Sequence, residues 1–489
     1  MRFFVTLLVA ALAVSPLRAS DLPDLGESAR ATVSEAEEAK VGRAVMRQIR
    51  GDRDYLDDPE VVEYLSRLGE ALVAASPAPH RTFEFFAVRD DSLNAFALPG
   101  GFIGVHTGLI AAARSESELA GVLAHEIAHV TQNHIARIVD AQRGSALSSL
   151  AALAIAILAA RADQGQLAQA AMVTAQAATL QSQLDYTRAH EREADRIGLQ
   201  TLLGSGFDPT GMATFFERLQ AHGRVYESPA PAYLRTHPLT FERMADLQNR
   251  LAELPYRQHP DSLEFRLIRA KLQASAGEAG QAYARFKTLV SGQDDVALRY
   301  GLAVAALRAG ERDQAASLAK ALRAELDVPL VWALAIRTER ESGRLAHALA
   351  LAGDAVARHA GDKPLAYLRA RVLIESGQAQ AALAFIEERQ RWWPGDATLH
   401  RLRAESHLAL GHRSESHLAQ AEAYLLLDLP AQAMDQLQQA RLAADGGFYT
   451  QSKVDARLRE LRERESRERD DREKRRPGNS VRSDSLFVA

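Results

Sequence analysis

Residues 119–130 read LAGVLAHEIAHV, and this stretch decides how the first half of the chain folds. Its aliphatic side chains recur with the spacing of a helix that is buried over much of its surface. Just before it, Ser115 and Glu118 stand three residues apart, the spacing of a capping box at a helix N-terminus. We therefore predict a buried helix that begins at this pair.

Two histidines and a glutamate give this helix its chemistry. His125 and His129 are four residues apart, about 40° round the helix axis, so both imidazoles reach one point. Imidazole nitrogens are good zinc ligands, and the neighbouring carboxylate of Glu126 can act as general base toward a water at the same metal. The pattern predicts one zinc ion per subunit in a hydrolytic site with Glu126 as the catalytic base. The alternative, a structural zinc, would close all four positions with ligands and need no base.

The third ligand must come from another segment. The extended form of the motif needs a glycine at position 132 and a histidine at position 135, where this chain has Gln132 and Ile135. On a continuous helix His134 lies about 180° from His125, so we predict that it lies outside the site.

The later segment YTRAHEREADRIGLQTLL has helical spacing and supplies two carboxylates on one face, Glu191 and Asp195. We predict that Glu191 binds zinc and that Asp195 hydrogen-bonds the far ring nitrogen of His125. Glu193 is out of phase with this pair and is predicted to be a surface residue, and His190 lies about 100° off the same face. A surface helix held by salt bridges is the alternative.

Extended segments precede the histidine helix. The run FEFFAV from Phe83 to Val88 is strand-like, and two further extended segments flank the turn Pro99-Gly100-Gly101. Because proline lacks an amide donor, the segment before it suits a sheet edge, where an extended peptide can pair. A plain structural hairpin fits these residues equally well. The candidates for pairing with substrate are Asn94, Ala95, Phe96 and Ala97.

The second half of the chain has a period of 33 or 34 residues. Its glycines fall at Gly277, Gly310, Gly343, Gly377 and Gly411, and the first four are followed five residues later by Ala282, Ala315, Ala348 and Ala382. Glycine fits a tight turn between antiparallel helices, and alanine allows close packing of the second helix. This is the tetratricopeptide period, and it predicts about five repeats in a solenoid with a concave face. A half-step of 17 residues then leads to Asp428, followed by Ala433.

The two ends of the chain indicate export and solvation. Arg2, an apolar run from Phe3 to Val14 and small residues at Ala19-Ser20 predict a signal peptide cleaved near Ala19, with a buried N-terminal helix as the alternative. The absence of cysteine excludes disulfides and lipid attachment at a cysteine. The last residues, from 457 to 476, are densely charged and are predicted to be a solvated helix extension before a disordered tail.

Composition excludes one class of partner and leaves one segment open. With 59 basic and 63 acidic residues there is no surplus of positive charge for a nucleic-acid interface. The apolar stretch 146–160 is too short to span a bilayer and is predicted to be a lid or hairpin helix near the site, or one that touches a membrane surface. The predicted division is a signal peptide at 1–19, a peptidase domain at 20–255, repeats at 256–455 and a charged end at 456–489.

The motifs HEIAH, EREAD and NAFALPGG together resemble the family of HtpX-like and CAAX-prenyl metallopeptidases. The resemblance implies a gluzincin-type domain with a small sheet, α+β but mostly helical, in which Glu191 is the third ligand. The family also carries a His-Pro motif with an arginine six residues after the histidine, matched here by His237-Pro238 and Arg243. It implies that His237 either stabilises the transition-state oxyanion or caps the zinc, and that Arg243 supports it.

A signal peptide, a peptidase domain without membrane spans and tetratricopeptide repeats resemble one branch of this family, the periplasmic β-barrel assembly-enhancing proteases of Gram-negative bacteria. The resemblance implies a periplasmic protease and chaperone that promotes assembly of outer-membrane β-barrel proteins and degrades misassembled ones. It also implies that the repeats bind the β-barrel assembly machinery. The alternative is a tetratricopeptide chaperone or adaptor whose peptidase site is largely latent.

Overall fold

The computed structural model describes residues 34–141, 188–225, 232–255, 257–443 and 445–474. The predicted signal peptide, the apolar stretch 146–160 and the end of the charged tail lie outside these residues. The first half contains α1 Glu35–Arg50, α2 Pro59–Ala74, β1 Glu84–Val88, β2 Ala95–Leu98, β3 Phe102–His106, α3 Thr107–Ala112, α4 Glu116–Thr131, α5 His134–Ala141, α6 Arg188–Gly204, α7 Thr210–Val225, α8 Ala232–Thr236 and α9 Phe241–Ala252.

The second half is built from helical hairpins. Its helices are α10 Leu263–Ser275, α11 Ala279–Gly292, α12 Val296–Arg308, α13 Arg312–Glu325, α14 Pro329–Glu341, α15 Leu345–Arg358, α16 Lys363–Glu375, α17 Ala379–Trp392, α18 Ala397–Ala409, α19 Arg413–Leu426, α20 Pro430–Leu442 and α21 Phe448–Lys474. The predicted architecture is therefore confirmed: a mostly helical α+β part with a small sheet, followed by an all-helical solenoid.

The sheet has three strands in the order β1-β3-β2. β1 runs parallel to β3, and β2 runs antiparallel to β3 with Ala95 opposite Val105 and Leu98 opposite Phe102. The turn between β2 and β3 requires glycine: Gly101 has φ 86°, and a Cβ there would lie 2.3 Å from a backbone oxygen. Because β3 lies between β1 and β2, β2 is an edge strand of this sheet.

Helix α4 is buried along its whole length, as its sequence predicts. Ser115 caps it by accepting a hydrogen bond from the Glu118 N–H. The second bond of the predicted capping box is replaced by another. The Glu118 carboxylate accepts from the Arg114 N–H at 2.7 Å instead of from the Ser115 N–H. α4 packs against α2, α6, α7 and β2, so the residues that it carries lie at the centre of the first half.

α4 does not continue to His134. It ends at Thr131, and Asn133 takes a left-handed conformation with φ 52° before α5 begins. Arg81 holds this break by donating to the Val130 carbonyl and the Asn133 side chain, each at 2.8 Å. The chain therefore changes direction just before His134.

Each predicted turn glycine of the repeats lies between two helices and has a positive φ, from 64° at Gly277 to 83° at Gly310. Asp428 takes the equivalent place between α19 and α20 with φ 54°. The alanines five residues after the glycines are fully buried, so the second helix of each hairpin packs closely there. α21 runs through position 455, and Leu458 and Leu461 are buried on it.

The repeats pack directly on the first half of the chain. One hydrophobic cluster extends from Val61 in α2 to Leu402 in α18. Beside it Glu60, only 4% exposed, pairs with Lys271 and Arg337 of two different repeats, each at 2.5 Å. Helix α2 is therefore held against the solenoid by both apolar packing and a buried ion-pair cluster.

Among the described helices, none combines the length and the apolar character that a bilayer crossing needs.

Candidate metal centre

Four buried side chains bring ligand atoms together between α4, α6 and the segment after α8. They belong to His125, His129, Glu191 and His237, and one ligand atom of each lies within 4.8 Å of the others. The Nε2 atoms of His125 and His129 are 3.0 Å apart. The Nδ1 atom of His237 lies 3.4 Å from His125 Nε2 and 3.1 Å from Glu191 Oε1.

These separations fit a tetrahedral zinc site. Zinc–nitrogen and zinc–oxygen bonds of about 2.0–2.1 Å in tetrahedral geometry place neighbouring ligand atoms about 3.3 Å apart. The distances above fall between 3.0 and 3.5 Å, as do 3.5 Å from His129 Nε2 to Glu191 Oε1 and 3.5 Å from His125 Nε2 to the other carboxylate oxygen, Oε2. Three nitrogens and one carboxylate are also a donor set that zinc prefers.

Close contact between α4 and α6 depends on Gly198. A Cβ at this position would lie 3.1 Å from the backbone N and Cα of His125. The missing side chain allows α6 to approach α4 where the first histidine projects. Asp195 and Glu191, one and two turns earlier on α6, consequently reach the two histidines.

His125 is supported by a chain of charged groups. Its Nδ1 lies 3.0 Å from Asp195 Oδ1, and Arg243 donates to both oxygens of Asp195 at 2.7 Å. Burial alone would lower the pKa of His125, but Asp195 and Glu191 outweigh it and raise the pKa to about 9. Burial raises the pKa of Asp195, and the Arg243 guanidinium more than compensates, so that the pKa lies below its ordinary value.

Arg243 also joins Asp195 to the ligand Glu191, from which its Nη1 lies 2.7 Å away. Another bond, 2.8 Å long, goes to the Pro238 carbonyl directly after His237. Burial tends to raise the pKa of Glu191, but the surrounding imidazoles hold it well below its ordinary value, so the carboxylate is ionised. Arg243 therefore fixes two carboxylates and the His-Pro segment at once.

Glu126 lies on α4 between the ligand histidines and is fully buried. Neither of its carboxylate oxygens has a hydrogen-bond partner among the described residues. His237 Nε2 lies 3.6 Å from Oε1 of this carboxylate. A buried carboxylate with two free oxygens at a metal site is placed to accept a proton from water.

Helix α8, directly before His237, is bonded to the chain just before the edge strand β2. Tyr233 donates its backbone N–H to the Leu93 carbonyl at 3.2 Å, and its ring stacks on His237 with centroids 4.6 Å apart. The His106 N–H donates to Asn94, so in an antiparallel pair the backbone groups of Ala95 and Ala97 point to the free edge. The side chains of the four substrate-strand candidates are buried.

Sequence reasoning missed the support of the second histidine. His134 is not one of the four clustered donors, as expected, but it is not remote from them, since its Nδ1 lies 2.9 Å from Nδ1 of His129. The expectation assumed a continuous helix, whereas the break at Asn133 turns His134 back. Glu193, predicted to be a surface residue, contacts His134 and Arg137 and is about one-fifth exposed. His190 stacks on His134 with centroids 4.6 Å apart.

In sequence the chain is similar to known metallopeptidases. The family described as Peptidase family M48 matches residues 59–251. Over 471 residues the chain is 33% identical to the Beta-barrel assembly-enhancing protease of Escherichia coli (strain K12), covering 94% of this chain and 96% of the relative. A Putative beta-barrel assembly-enhancing protease of Vibrio cholerae is 38% identical over 65% of this chain and 68% of its own length.

Other similarities cover less than half of this chain. The Mitochondrial metalloendopeptidase OMA1 of Schizosaccharomyces pombe is 33% identical over 42% of this chain and 57% of its own length. Among solved structures, YrrB, a TPR protein with an unusual peptide-binding site, covers 38% of this chain and 90% of its own length, with 17% identity and a TM-score of 0.27.

Proposed function

The chain belongs to the M48 metallopeptidases and, within them, to the β-barrel assembly-enhancing proteases, and from this premise we propose that it is a periplasmic zinc endopeptidase that acts on outer-membrane β-barrel proteins. One observation carries the chemical part of the proposal. Three buried nitrogens and one carboxylate cluster with all four ligand atoms within 4.8 Å of one another, beside a buried glutamate whose oxygens have no partner among the described residues.

In this proposal His125, His129 and Glu191 hold the zinc ion. Bound zinc polarises a carbonyl oxygen and makes water acidic enough to lose a proton near neutral pH. Glu126 accepts that proton on its carboxylate and later passes it to the leaving amine. Asp195 keeps the ring of His125 oriented with Nε2 toward the metal, and Arg243 keeps Asp195 ionised.

For His237, the proposal favours the capping role over the oxyanion role. Its Nδ1 lies 3.4 Å from His125 Nε2 and 3.1 Å from Glu191 Oε1, and His237 is the fourth member of the cluster of ligand atoms. A zinc site with four protein ligands has no open position for water or substrate. Movement of His237 away from the set would open the site, so the resting protease would cleave slowly, through the fraction of molecules in which His237 has moved.

The protein substrates are proposed from the relatives' name and from the edge strand. Ala95 and Ala97 direct backbone groups to the free edge of the sheet, where an unpaired strand of a misassembled β-barrel can add. We propose that the repeats contact the assembly machinery and that the division into residues 1–19, 20–255, 256–455 and 456–489 corresponds to signal peptide, peptidase, repeats and charged end. The periplasmic location, with cleavage near Ala19, belongs to the same proposal.

The decisive experiment compares wild type with Glu126→Gln for bound zinc and for casein cleavage. We expect about one zinc per chain in both proteins. Cleavage should fall by about 10²–10⁴-fold in the variant, since the base is lost and the ligands remain. A wild type without zinc, or a variant that cleaves as fast as wild type, would overturn the proposal.

The closed set of four ligands also favours a second candidate function, a chaperone in which the peptidase site stays latent. Complementation of a strain lacking the protein distinguishes the two. If Glu126→Gln restores the outer-membrane permeability barrier fully, the chaperone function is the important one. In vitro, His237→Ala should raise casein cleavage several-fold if His237 is a cap, whereas loss of cleavage with zinc retained assigns it to the oxyanion.

A further inference from the structure

The two zinc-binding histidines of α4 differ in what lies behind them. His125 has an aspartate at its Nδ1, and that aspartate is held by an arginine. Behind His129 lies the imidazole of His134, with Nδ1 to Nδ1 at 2.9 Å. Both arrangements are buried, and both involve the ring nitrogen that faces away from the other ligands.

The contacts of His134 fix which nitrogen carries each hydrogen. If His129 binds the metal through Nε2, its hydrogen is on Nδ1, and this N–H donates to Nδ1 of His134. His134 then carries its own hydrogen on Nε2, which lies 3.3 Å from Glu193 Oε2 and donates to it. Arg137 donates to the same oxygen of Glu193 at 2.7 Å. In this chain of hydrogen bonds from His129 through His134 to Glu193, each ring nitrogen is then either a donor or an acceptor without conflict.

The fold places His134 there through the break between α4 and α5. Asn133 adopts φ 52°, a conformation that asparagine tolerates and β-branched residues avoid. Arg81 stabilises the break from outside the helix and is itself paired with Glu38 at 2.6 Å. His190 stacks on the His134 ring with an angle of 21° between the ring planes.

We propose that His134, held by Glu193, is a positioning residue for the zinc ligand His129, as Asp195 held by Arg243 is for His125. The inference rests on the proposed zinc site. Groups behind a metal ligand fix its orientation and increase its basicity, and their loss typically costs about 10–100-fold in metal affinity. An imidazole is a weaker hydrogen-bond acceptor than a carboxylate, so we expect the loss at His134 to lie nearer the lower value.

Three variants test this, with zinc affinity measured by chelator competition. His134→Phe keeps the ring and its stacking on His190 but has no nitrogen, and should weaken zinc binding about tenfold. His134→Asn offers Oδ1 near the position of Nδ1 and should recover most of that loss. Glu193→Ala, at a partly exposed position, should weaken binding by a smaller factor, about threefold. The matched control is His190→Phe, which keeps the stacking without touching His129, and should bind zinc within about twofold of wild type.

A second measurement separates orientation of the ligand from general loss of structure. In the cobalt-substituted protein the visible absorption bands report ligand geometry, and they should shift in His134→Phe and return toward wild type in His134→Asn. Circular dichroism of the metal-free proteins should be the same in all variants.

Zinc binding by His134→Phe within twofold of wild type, or an asparagine variant no better than the phenylalanine variant in both measurements, would overturn the inference. A wild type that binds no zinc overturns the proposed function as well, so the two failures are distinguishable.

Discussion

The two halves of this chain use buried positions in opposite ways. In the peptidase half, charged side chains lie at the centre, and their partners come from distant parts of the sequence: Arg243 and Asp195 are 48 residues apart, and His237 and His125 are 112 apart. In the repeats, each helix packs mainly on its neighbours in sequence, and the recurring buried residues are alanines behind glycine turns. Chemistry in the first half depends on long-range ion pairs, and shape in the second depends on local geometry.

Of the substitutions that test this difference between the halves, one at Arg243 should change stability most. Arg243 is 2% exposed and neutralises two buried carboxylates. Arg243→Met leaves Asp195 and Glu191 without their cation, and should lower the free energy of unfolding of the metal-free protein by about 3–5 kcal/mol. Urea unfolding measures it. The control is Arg250→Met on the same helix, which breaks only the exposed pair with Asp246 and should change stability by less than about 0.5 kcal/mol. Equal effects would contradict the comparison.

A repeat position should respond to size and not to charge. Ala348 is fully buried in α15, so Ala348→Leu forces extra volume between two helices and should cost about 1–3 kcal/mol. Ala350 lies on the same helix and is exposed, and Ala350→Leu should be nearly neutral. Thermal unfolding of both variants compares them directly. A neutral Ala348→Leu would mean that the repeats are not closely packed at this alanine.

The turn glycines should be sensitive to backbone conformation alone. Gly377 has φ 74° and nothing within 4 Å of an added Cβ, so Gly377→Ala should cost about 1–2 kcal/mol through backbone strain. Gly353 lies inside helix α15, also with free space around it, and Gly353→Ala should stabilise the protein by about 0.5–1 kcal/mol. Denaturant midpoints of the pair should therefore move in opposite directions.

The smallest effect is expected where the two halves meet. Asp362 caps α16 by accepting from the Leu365 N–H at 2.9 Å, and burial raises its pKa to about 6. Its ordinary value in an unfolded chain is about 3.9, so the stability that this group contributes is complete below pH 4 and is lost as the pH rises through about 6.

Asp362→Asn keeps the helix cap and removes the titration, so the variant should be more stable than wild type by about 1 kcal/mol at pH 7 and equal to it at pH 4. Melting temperatures measured at the two values of pH test this. A difference that does not depend on pH would assign the effect to the cap and not to the charge.

What the sequence could predict follows the same division. The repeat turns were predictable because one glycine every 33 or 34 residues is a local signal, and even Asp428 stood in phase. The buried helix α4, and the positions of His125, Glu126 and His129 on one of its faces, follow from helical spacing. The pairing of Glu191 with Asp195 on a second helix follows from it as well.

The rest depends on contacts between distant residues. The position of His134 is determined by a helix break that Arg81 stabilises from about 50 residues away, and a periodicity argument carries the helix straight through. Glu193 is out of phase with Glu191 on α6, yet its carboxylate contacts His134 of α5. Similarly, nothing in the spacing of Glu60 indicates that it pairs with Lys271 and Arg337 more than 200 residues later.

One of these distant contacts affects the order in which the protein can assemble. Arg47 in α1 pairs with Asp428 at the turn after α19, and Arg50 donates to the neighbouring Leu427 carbonyl, which joins residues 377 to 381 positions apart. Because α1 and Asp428 lie near opposite ends of the chain, this contact forms only when nearly the whole chain is present in one compartment. Hairpins such as α10–α11 need only their own residues and can form earlier. The contact between α1 and the Asp428 turn is therefore among the last to form, and Arg47 and Arg50 of α1 lack these partners until the final repeats have folded.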